Sequence, residues 1–139
     1  MLRSARFESP LDLRAHVPGE WVLLSGLDYR SANGRLYHVP ARFITDLASI
    51  PGVFQPAIDR NGKSRRAAVL HDWLYCLHQG TRAEADALFL EALQAEGVSW
   101  VIRRAMWLAV RAGGWRYWNK RTGVTHDDFV RGPLDNGII

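Results

Sequence analysis

The sequence predicts an α+β fold, in which a small N-terminal antiparallel β-hairpin or sheet precedes three helices. Two observations carry this prediction. The dipeptide Asn33-Gly34 separates two β-prone runs, and Asn-Gly is the strongest short hairpin signal. Beyond residue 63, each mostly apolar run begins near a Ser or Thr and ends at a Gly, as helices commonly do.

The strands are predicted in the first third of the chain, residues 1–45. The run EWVLLSGLDY, residues 20–29, is apolar and β-prone, and GRLYHVPARFIT, residues 34–45, alternates in part. A long loop with apolar islands follows at residues 45–62. Loops of this length in compact domains are usually functional or disordered, and this one is too apolar for disorder. We therefore interpret it as a functional loop.

The helical part of the chain, residues 63–114, is predicted to contain three helices joined by short turns. Their predicted spans are 64–79, 81–96 and 99–114. Ser64 is the expected cap of the first helix, and Gly80 is expected to stop it. Thr81 and Glu84 form the pattern of a capping box at the start of the second. The tail, residues 115–139, shows no clear period, and residues 1–139 are interpreted as one domain.

Composition limits the classes of protein to which the chain can belong. At 139 residues it is long enough to bury a core without covalent links. Its one cysteine, Cys76, argues against a disulfide framework and a cysteine-based zinc site. The N-terminus lacks the apolar segment of a signal peptide, and no run of about 18 apolar residues occurs. We therefore expect synthesis and folding in a reducing cytosol.

The net charge of +4 makes an anionic partner worth considering. Basic residues are scattered except at 63–66, 103–104 and 115–121. The last stretch, WRYWNKR, interleaves basic and aromatic residues, as single-strand binders do. No helix-turn-helix, zinc or RNA-binding motif accompanies it, so nucleic acid is the least favoured partner.

The stretch AAVLHDWLYCLHQG, residues 67–80, places a polar pair, His71 and Asp72, inside an apolar helix. Unpartnered polar groups are costly to bury, so the pair is either satisfied structurally or takes part in chemistry. Tyr75 follows His71 at i+4 and shares its face, while Asp72 lies about 100° round the helix.

Carboxylates from two other segments are expected to reach this helix. The turn at Gly80 is so short that the second helix should fold back antiparallel, which brings Glu84, Asp86 or Glu91 near. The preceding loop could place Asp46 near the middle of the helix.

Such a cluster suits either of two tasks. It could bind a divalent metal, Zn or Ca, through Asp46, His71 and Asp72. Alternatively, an acid could orient His71 as a general base while Asp72 holds the metal. The candidate catalytic residues are therefore His71, Asp86 and Tyr75. A structural reading stays open, in which the pair only ties the loop to the helix.

The element HDWLY resembles the His-Asp-x-x-Tyr helix of calcium-dependent secretory phospholipases. The resemblance implies that His71 activates water, that Asp72 binds calcium and that Tyr75 supports the network. Those enzymes are disulfide-rich and carry a glycine-rich calcium loop ahead of the helix. This chain has one cysteine and no such loop, so the similarity is one of local chemistry.

A second resemblance covers residues 35–115. The ordered motifs FITDLASIP, AAVLHDWLY and RAEADALFLEAL are similar to those of a family of small uncharacterised proteins of tailed bacteriophages and prophages. The resemblance implies a phage or prophage origin. It also implies that Asp46, His71, Asp72 and Asp86 are the polar residues inside the motifs, which makes Asp86 a better candidate than the capping Glu84.

Two functions follow as hypotheses. The first is a phage-encoded, metal-assisted hydrolase of a cell-envelope bond, either a peptidoglycan amide or peptide or a lipid ester. The alternative is a non-enzymatic virion component, in the tail or in assembly, whose partners are other virion proteins. In that case Trp115, Tyr117 and Trp118 would form a protein interface. In either case we expect synthesis in the cytoplasm of the bacterial host.

Overall fold

The computed structural model describes residues 4–46, 53 and 63–132, and its strands form two small sheets. The strands are β1 (Arg6–Phe7), β2 (Leu13–Ala15), β3 (Trp21–Leu23), β4 (Leu27–Arg30), β5 (Leu36–Val39) and β6 (Ile44–Thr45). One antiparallel sheet has the order β1-β4-β5, and the other has the order β2-β3-β6. The predicted hairpin is confirmed: β4 and β5 pair across the turn that contains Gly34, whose φ is +91°.

Helices make up the C-terminal part of the described chain. They are α1 (Arg65–Leu77), α2 (Arg82–Ala95), α3 (Trp100–Gly113) and the short α4 (Trp115–Asn119), followed by a 3-10 turn at His126–Asp128. The predicted α+β class is therefore confirmed. The tail, whose sequence shows no clear period, begins with α4. No helix among these residues is long and apolar enough to cross a bilayer.

Both predicted β-runs prove to be interrupted. Residues 20–29 divide into β3 and β4, which belong to different sheets. The break includes Gly26, where a Cβ would lie only 2.5 Å from the ring of His38. Residues 34–45 divide into β5 and β6, because Pro40 has no N–H for a ladder and Arg42 adopts a φ of +76°. Each β-prone run therefore supplies one strand to each of the two sheets.

The helix boundaries agree with the prediction to within a few residues. Thr81 and Glu84 form the predicted capping box in full. α1 ends at Leu77 rather than Gln79, because His78 already adopts the left-handed conformation. The His78 ring stacks on Trp118 at 3.9 Å and its Nε2 lies 3.0 Å from the Trp118 carbonyl oxygen, which accounts for the earlier end. Ser64 occupies the N-cap position but makes no side-chain capping bond.

The core lies around α1, which is buried along most of its length. Buried side chains come from both sheets and from α1, α2 and α3, among them Leu23, Tyr29, Phe43, Leu70, Phe89, Leu93 and Met106. Polar links join the sheets to the helices: Tyr29 donates to Glu91 at 2.6 Å, and Arg66 binds Glu96 through two bonds of 2.7 and 2.9 Å. The predicted functional loop at 45–62 lies outside the described residues except for Thr45, Asp46 and Val53.

Candidate functional site

The structure divides the predicted polar cluster into two neighbouring parts. His71, Tyr75 and Asp86 meet inside the helical layer, whereas Asp72 and Asp46 line an open cavity on the other side of α1. The division follows from helix geometry, since consecutive residues point about 100° apart. Tyr75 belongs to both parts, because it binds Asp86 and also lines the cavity.

Asp86 is the centre of the internal network. Its Oδ1 accepts a hydrogen bond from His71 Nε2 at 2.8 Å and another from Tyr75 Oη at 2.6 Å. Its Oδ2 accepts from Arg111 at 2.7 Å and from Arg82 at 3.3 Å. The carboxylate is fully buried, so these four donors replace its hydration. The predicted approach of Asp86 to His71 is confirmed.

The environment fixes the protonation states of the network. Burial lowers the pKa of His71, and the bond to Asp86 offsets this only in part. Burial alone would raise the pKa of Asp86, but the hydrogen bonds from His71 and Tyr75 outweigh it and hold the pKa below its usual range. Asp86 is therefore an ionised acceptor and His71 is neutral with its proton on Nε2. In that tautomer Nδ1 carries the lone pair.

The hydroxyl group of Tyr75 lies against a glycine, Gly114, at the junction of α3 and α4. A Cβ on Gly114 would lie 2.5 Å from Tyr75 Oη and 2.5 Å from the carbonyl oxygen of Val110. The φ of Gly114 is −71°, an ordinary value, so the position requires a glycine for lack of space rather than for backbone freedom. The close approach keeps the phenol against Asp86.

We expect Gly114→Ala to lower the free energy of unfolding by about 1–3 kcal/mol, since the methyl group must displace the phenol or the backbone. Urea unfolding followed by circular dichroism measures the change. Gly113→Ala is the matched control, because a Cβ there meets nothing within 4 Å. Equal stabilities for the two variants would show that the Tyr75 contact is not tight.

Asp72 is oriented by strand β6. Thr45 Oγ1 donates to Asp72 Oδ2 at 2.6 Å, and Asp72 is only 9% exposed. Asp46, the residue after Thr45, lines the same cavity, so the predicted approach of Asp46 to the helix is confirmed. The cavity measures about 780 Å³, counting the solvent at its mouth.

The remaining walls of the cavity come from α1 and from the segment after α3. They include Cys76, Tyr117, Lys120 and Arg121, with Asp128 in an adjoining recess. Arg121 is anchored there by two hydrogen bonds of 2.5 Å to the Asp128 carboxylate. Burial raises the pKa of the Cys76 thiol, so this cysteine is a poor nucleophile. The chemistry of the cavity rests on its carboxylates.

Burial raises the pKa of Asp72 to about 7, although the Thr45 hydrogen bond opposes the rise, and the charge of Asp46 adds to it. The unfolded chain ionises this group near pH 4, so the folded state binds the extra proton between about pH 4 and pH 7. The free energy of unfolding therefore falls as the pH rises through that window. Above it, burial of the charged Asp72 carboxylate has its full destabilising effect.

We expect Asp72→Asn to stabilise the metal-free protein by about 1–3 kcal/mol near pH 8, with a smaller gain near pH 5. The amide removes the buried charge and still accepts the Thr45 hydrogen bond. Thermal melts in chelator at both pH values measure the difference. Asp127→Asn, at a side chain that is 96% exposed, is the control. A stability gain of Asp72→Asn that grows toward low pH would contradict the raised pKa of Asp72.

Among the described residues, the cavity offers the carboxylates of Asp46 and Asp72 as donors for a metal. Across residues 4–46, 53 and 63–132, no three His, Cys, Asp or Glu side chains converge as a metal-binding group. Asp46 and Asp72 share the cavity, while the Nε2 of His71 is engaged with Asp86 inside the protein. Two carboxylates, supplemented by carbonyl oxygens and water, suit calcium better than zinc, which takes three or four protein ligands.

Several residues of the site were not predicted from the sequence. They are Thr45, Arg82, Arg111, Arg121 and Asp128. A signal existed for Arg82, which lies four residues before Asp86 on one helix face, and for Asp128, which ends the capping pattern begun by Thr125. Arg111 and Arg121 reach their partners through tertiary packing alone.

Comparison with known proteins places this site within a family. Residues 21–110 match the family model described as "Protein of unknown function (DUF1353)". The chain belongs to this family. The matched range includes Asp46, His71, Asp72 and Asp86, whereas α4 and Arg121 lie beyond it.

A curated relative has a similar sequence. The uncharacterized protein y4iH of Sinorhizobium fredii (strain NBRC 101917 / NGR234) is 30% identical over 106 residues. The alignment covers 73% of this chain and 44% of the relative, so the chain spans less than half of that protein's length. No solved structure gives a significant match.

Proposed function

We propose that this member of the DUF1353 family is a divalent-metal-assisted hydrolase of a lipid ester in the cell envelope. One observation carries the proposal: a single carboxylate oxygen of Asp86 accepts from both His71 Nε2 and Tyr75 Oη. The resemblance to secretory phospholipases implies the base His71 and the supporting Tyr75, and the contact with Asp86 adds an acid that orients the base. Asp72, next to the base in sequence, lies in the adjoining cavity.

His71 is the general base in this mechanism. Its lowered pKa favours the neutral imidazole, the form that can take up a proton, and Asp86 orients the ring through Nε2. The proposed reaction requires a water molecule to displace the present partner of the second ring nitrogen, Nδ1. That water then loses a proton to Nδ1 as its oxygen attacks the ester carbonyl carbon. The proton then passes to the departing alkoxide when the ester C–O bond breaks. Because His71 is fully buried, this mechanism requires a water to enter from the side of the cavity.

Asp46 and Asp72 would hold the cation. A calcium ion held there would supply positive charge to polarise the ester carbonyl. The raised pKa of Asp72 describes the ion-free protein, in which Asp46 is the nearby negative charge. Opposite charge favours the ionised carboxylate, so binding of a cation and ionisation of Asp72 are coupled.

The cavity walls favour a lipid ester over a peptidoglycan amide. Tyr75 and Tyr117 offer aromatic surface, and Lys120 and Arg121 offer positive charge beside the two carboxylates. An acyl ester next to a phosphate group matches this combination of apolar and cationic walls.

The test is fatty-acid release from a short-chain phosphatidylglycerol. We expect release in the presence of calcium, a loss of more than about tenfold in chelator, and recovery when calcium is restored. Zinc should not substitute. No release in calcium, or release unaffected by chelator, would contradict the proposed mechanism.

A non-enzymatic role in a virion is the second candidate. The observation that favours it is the full burial of His71. In addition, side chains from α1, α2 and α3 all bind the carboxylate of Asp86, which ties the three helices together. In that case the network is purely structural. We propose for both candidates a phage or prophage origin and synthesis in the host cytoplasm, supported by the ordered motifs around Asp46, His71 and Asp86.

A further inference from the structure

The outer surface of α3 and α4 is unusually apolar for a solvent-facing surface. Among the described residues ten large apolar or aromatic side chains are exposed, and six of them lie between residues 100 and 117. These six are Trp100, Val101, Ile102, Leu108, Trp115 and Tyr117. We call this surface the α3–α4 face. Concentration of exposed apolar groups in one area marks an interaction site.

The α3–α4 face is also strongly basic. Residues 97–125 contain six Arg or Lys residues and no Asp or Glu. Three of the six have acceptors within the protein: Arg103 on a backbone carbonyl, Arg111 on Asp86 and Arg121 on Asp128. Asp86 and Asp128 neutralise Arg111 and Arg121, so the positive charge of the face comes from the other cations of the segment.

Each of the other three cations lies over an exposed aromatic ring of the face. Arg104 is 5.9 Å from the Trp100 ring, Arg116 is 5.4 Å from Trp115 and Lys120 is 5.8 Å from Tyr117. Pairs of tryptophan or tyrosine with arginine or lysine are typical of the boundary between water and lipid. There the ring enters the headgroup region and the cation remains near phosphate.

The geometry of α3 suits a flat surface. Val101 and Leu108 are seven residues apart, so they share one side of the helix, and they are 68% and 58% exposed. Met106 and Val110 are fully buried on the opposite side. A helix of 14 residues is about 21 Å long, so it presents an extended line of contact rather than a single point.

The face is continuous with the mouth of the cavity. Tyr117 and Lys120 belong to the face through their ring–cation pair, and both also line the cavity beside Asp72. A molecule bound along α3 and α4 would therefore lie next to the candidate metal site.

We propose that the α3–α4 face binds an anionic membrane surface, with α3 lying in the plane of the headgroups. Nucleic-acid phosphates are bound by polar and charged groups, so exposed Val, Ile and Leu side chains would not contribute to such a contact. A second copy of the chain would bring like charges together on this face. An anionic bilayer satisfies both features, because it takes up apolar side chains and attracts the arginines.

The experiment is co-sedimentation of the full chain with vesicles of phosphatidylcholine containing about 30% phosphatidylglycerol, and with vesicles of phosphatidylcholine alone. We expect binding to the anionic vesicles that is at least about tenfold tighter and that weakens at high salt. Val101→Ser/Leu108→Ser/Trp115→Ser should reduce binding by about tenfold or more. Arg104→Glu/Arg116→Glu should do the same.

The control is Val17→Ser/Leu36→Ser, which removes two exposed apolar side chains from the opposite, strand-containing part of the chain. It should bind as the wild type does, and melts should confirm that every variant folds. Equal binding to both kinds of vesicle, unchanged binding by the two α3–α4 variants, or tighter binding to single-stranded DNA than to vesicles would overturn the inference.

The outcome can be separated from that of the proposed hydrolase. Membrane binding needs neither calcium nor His71. If vesicles are bound and short-chain lipid is not cleaved, the hydrolase is contradicted and the membrane surface stands. If short-chain lipid is cleaved and anionic vesicles are not bound, the membrane surface is contradicted and the hydrolase stands.

Discussion

Replacement of Asp86 by Ala is expected to lower the free energy of unfolding by about 3–5 kcal/mol, because it removes one side of a buried charge network. Arg82 and Arg111 would then face each other without the carboxylate that binds both. The hydroxyl of Tyr75 and the Nε2–H of His71 would also lose their acceptor inside the protein. A loss of this size is a large share of the stability of a domain, which is commonly about 5–15 kcal/mol.

Urea unfolding of wild type and variants measures this effect. Asp86→Asn provides a milder variant that keeps the size of the side chain and one accepting oxygen, so it remains informative if the alanine variant fails to fold. Asp127→Ala, at a highly exposed carboxylate, is the control and should change stability by less than about 0.5 kcal/mol. A loss below about 1 kcal/mol for Asp86→Ala would show that the network contributes little.

Local rules predicted that Glu84, Asp86 or Glu91 of α2 would approach His71, and the resemblance of the motifs favoured Asp86. The Thr81–Glu84 capping box fixes the start of α2, and Gly80 with a φ of +70° makes the turn before it short. An antiparallel α2 then places its first turns beside the second half of α1. The approach of the two helices needed no information from the rest of the chain, and the same holds for the hairpin at Gly34.

Tertiary packing decided the features that the sequence did not reveal. Arg111 reaches Asp86 because of the way α3 docks, and Arg121 reaches the cavity because Trp118 of α4 stacks on His78 at the end of α1. The division of residues 20–29 between two sheets likewise depends on contacts with β1 and β6. None of these pairs shares a local spacing that a pattern could detect.

Adjacent residues on α1 have different environments for a physical reason. His71 is completely enclosed and packs between the rings of Tyr75 and Phe89, at centroid distances of 4.3 and 4.6 Å. Asp72 borders the cavity and binds Thr45. A purely structural role would explain the first environment. In the second, burial and the nearby charge of Asp46 raise the pKa of the Asp72 carboxyl to about 7. Such carboxyl groups are typical of functional sites.

His71→Gln separates the catalytic role of the histidine from a structural one. Glutamine can still donate an N–H to Asp86, so we expect the variant to fold, with a loss of stability much smaller than that of Asp86→Ala. It cannot accept a proton from water, so calcium-dependent fatty-acid release should fall by about 10²–10⁴-fold, the usual contribution of a general base. The fall should appear in kcat rather than in KM, because the base acts in the chemical step.

The readout is initial rates on short-chain phosphatidylglycerol at saturating calcium, together with thermal melts. His38→Gln is the matched control, since His38 is also paired with an aspartate, Asp28, but lies on the exposed sheet. It should retain the wild-type rate. If His71→Gln keeps the wild-type rate and only melts earlier, His71 is structural and the base must be another group. If the rate falls while the fold is intact, the buried His71–Asp86 pair drives the hydrolysis, and the cavity beside Asp72 is where the ester binds.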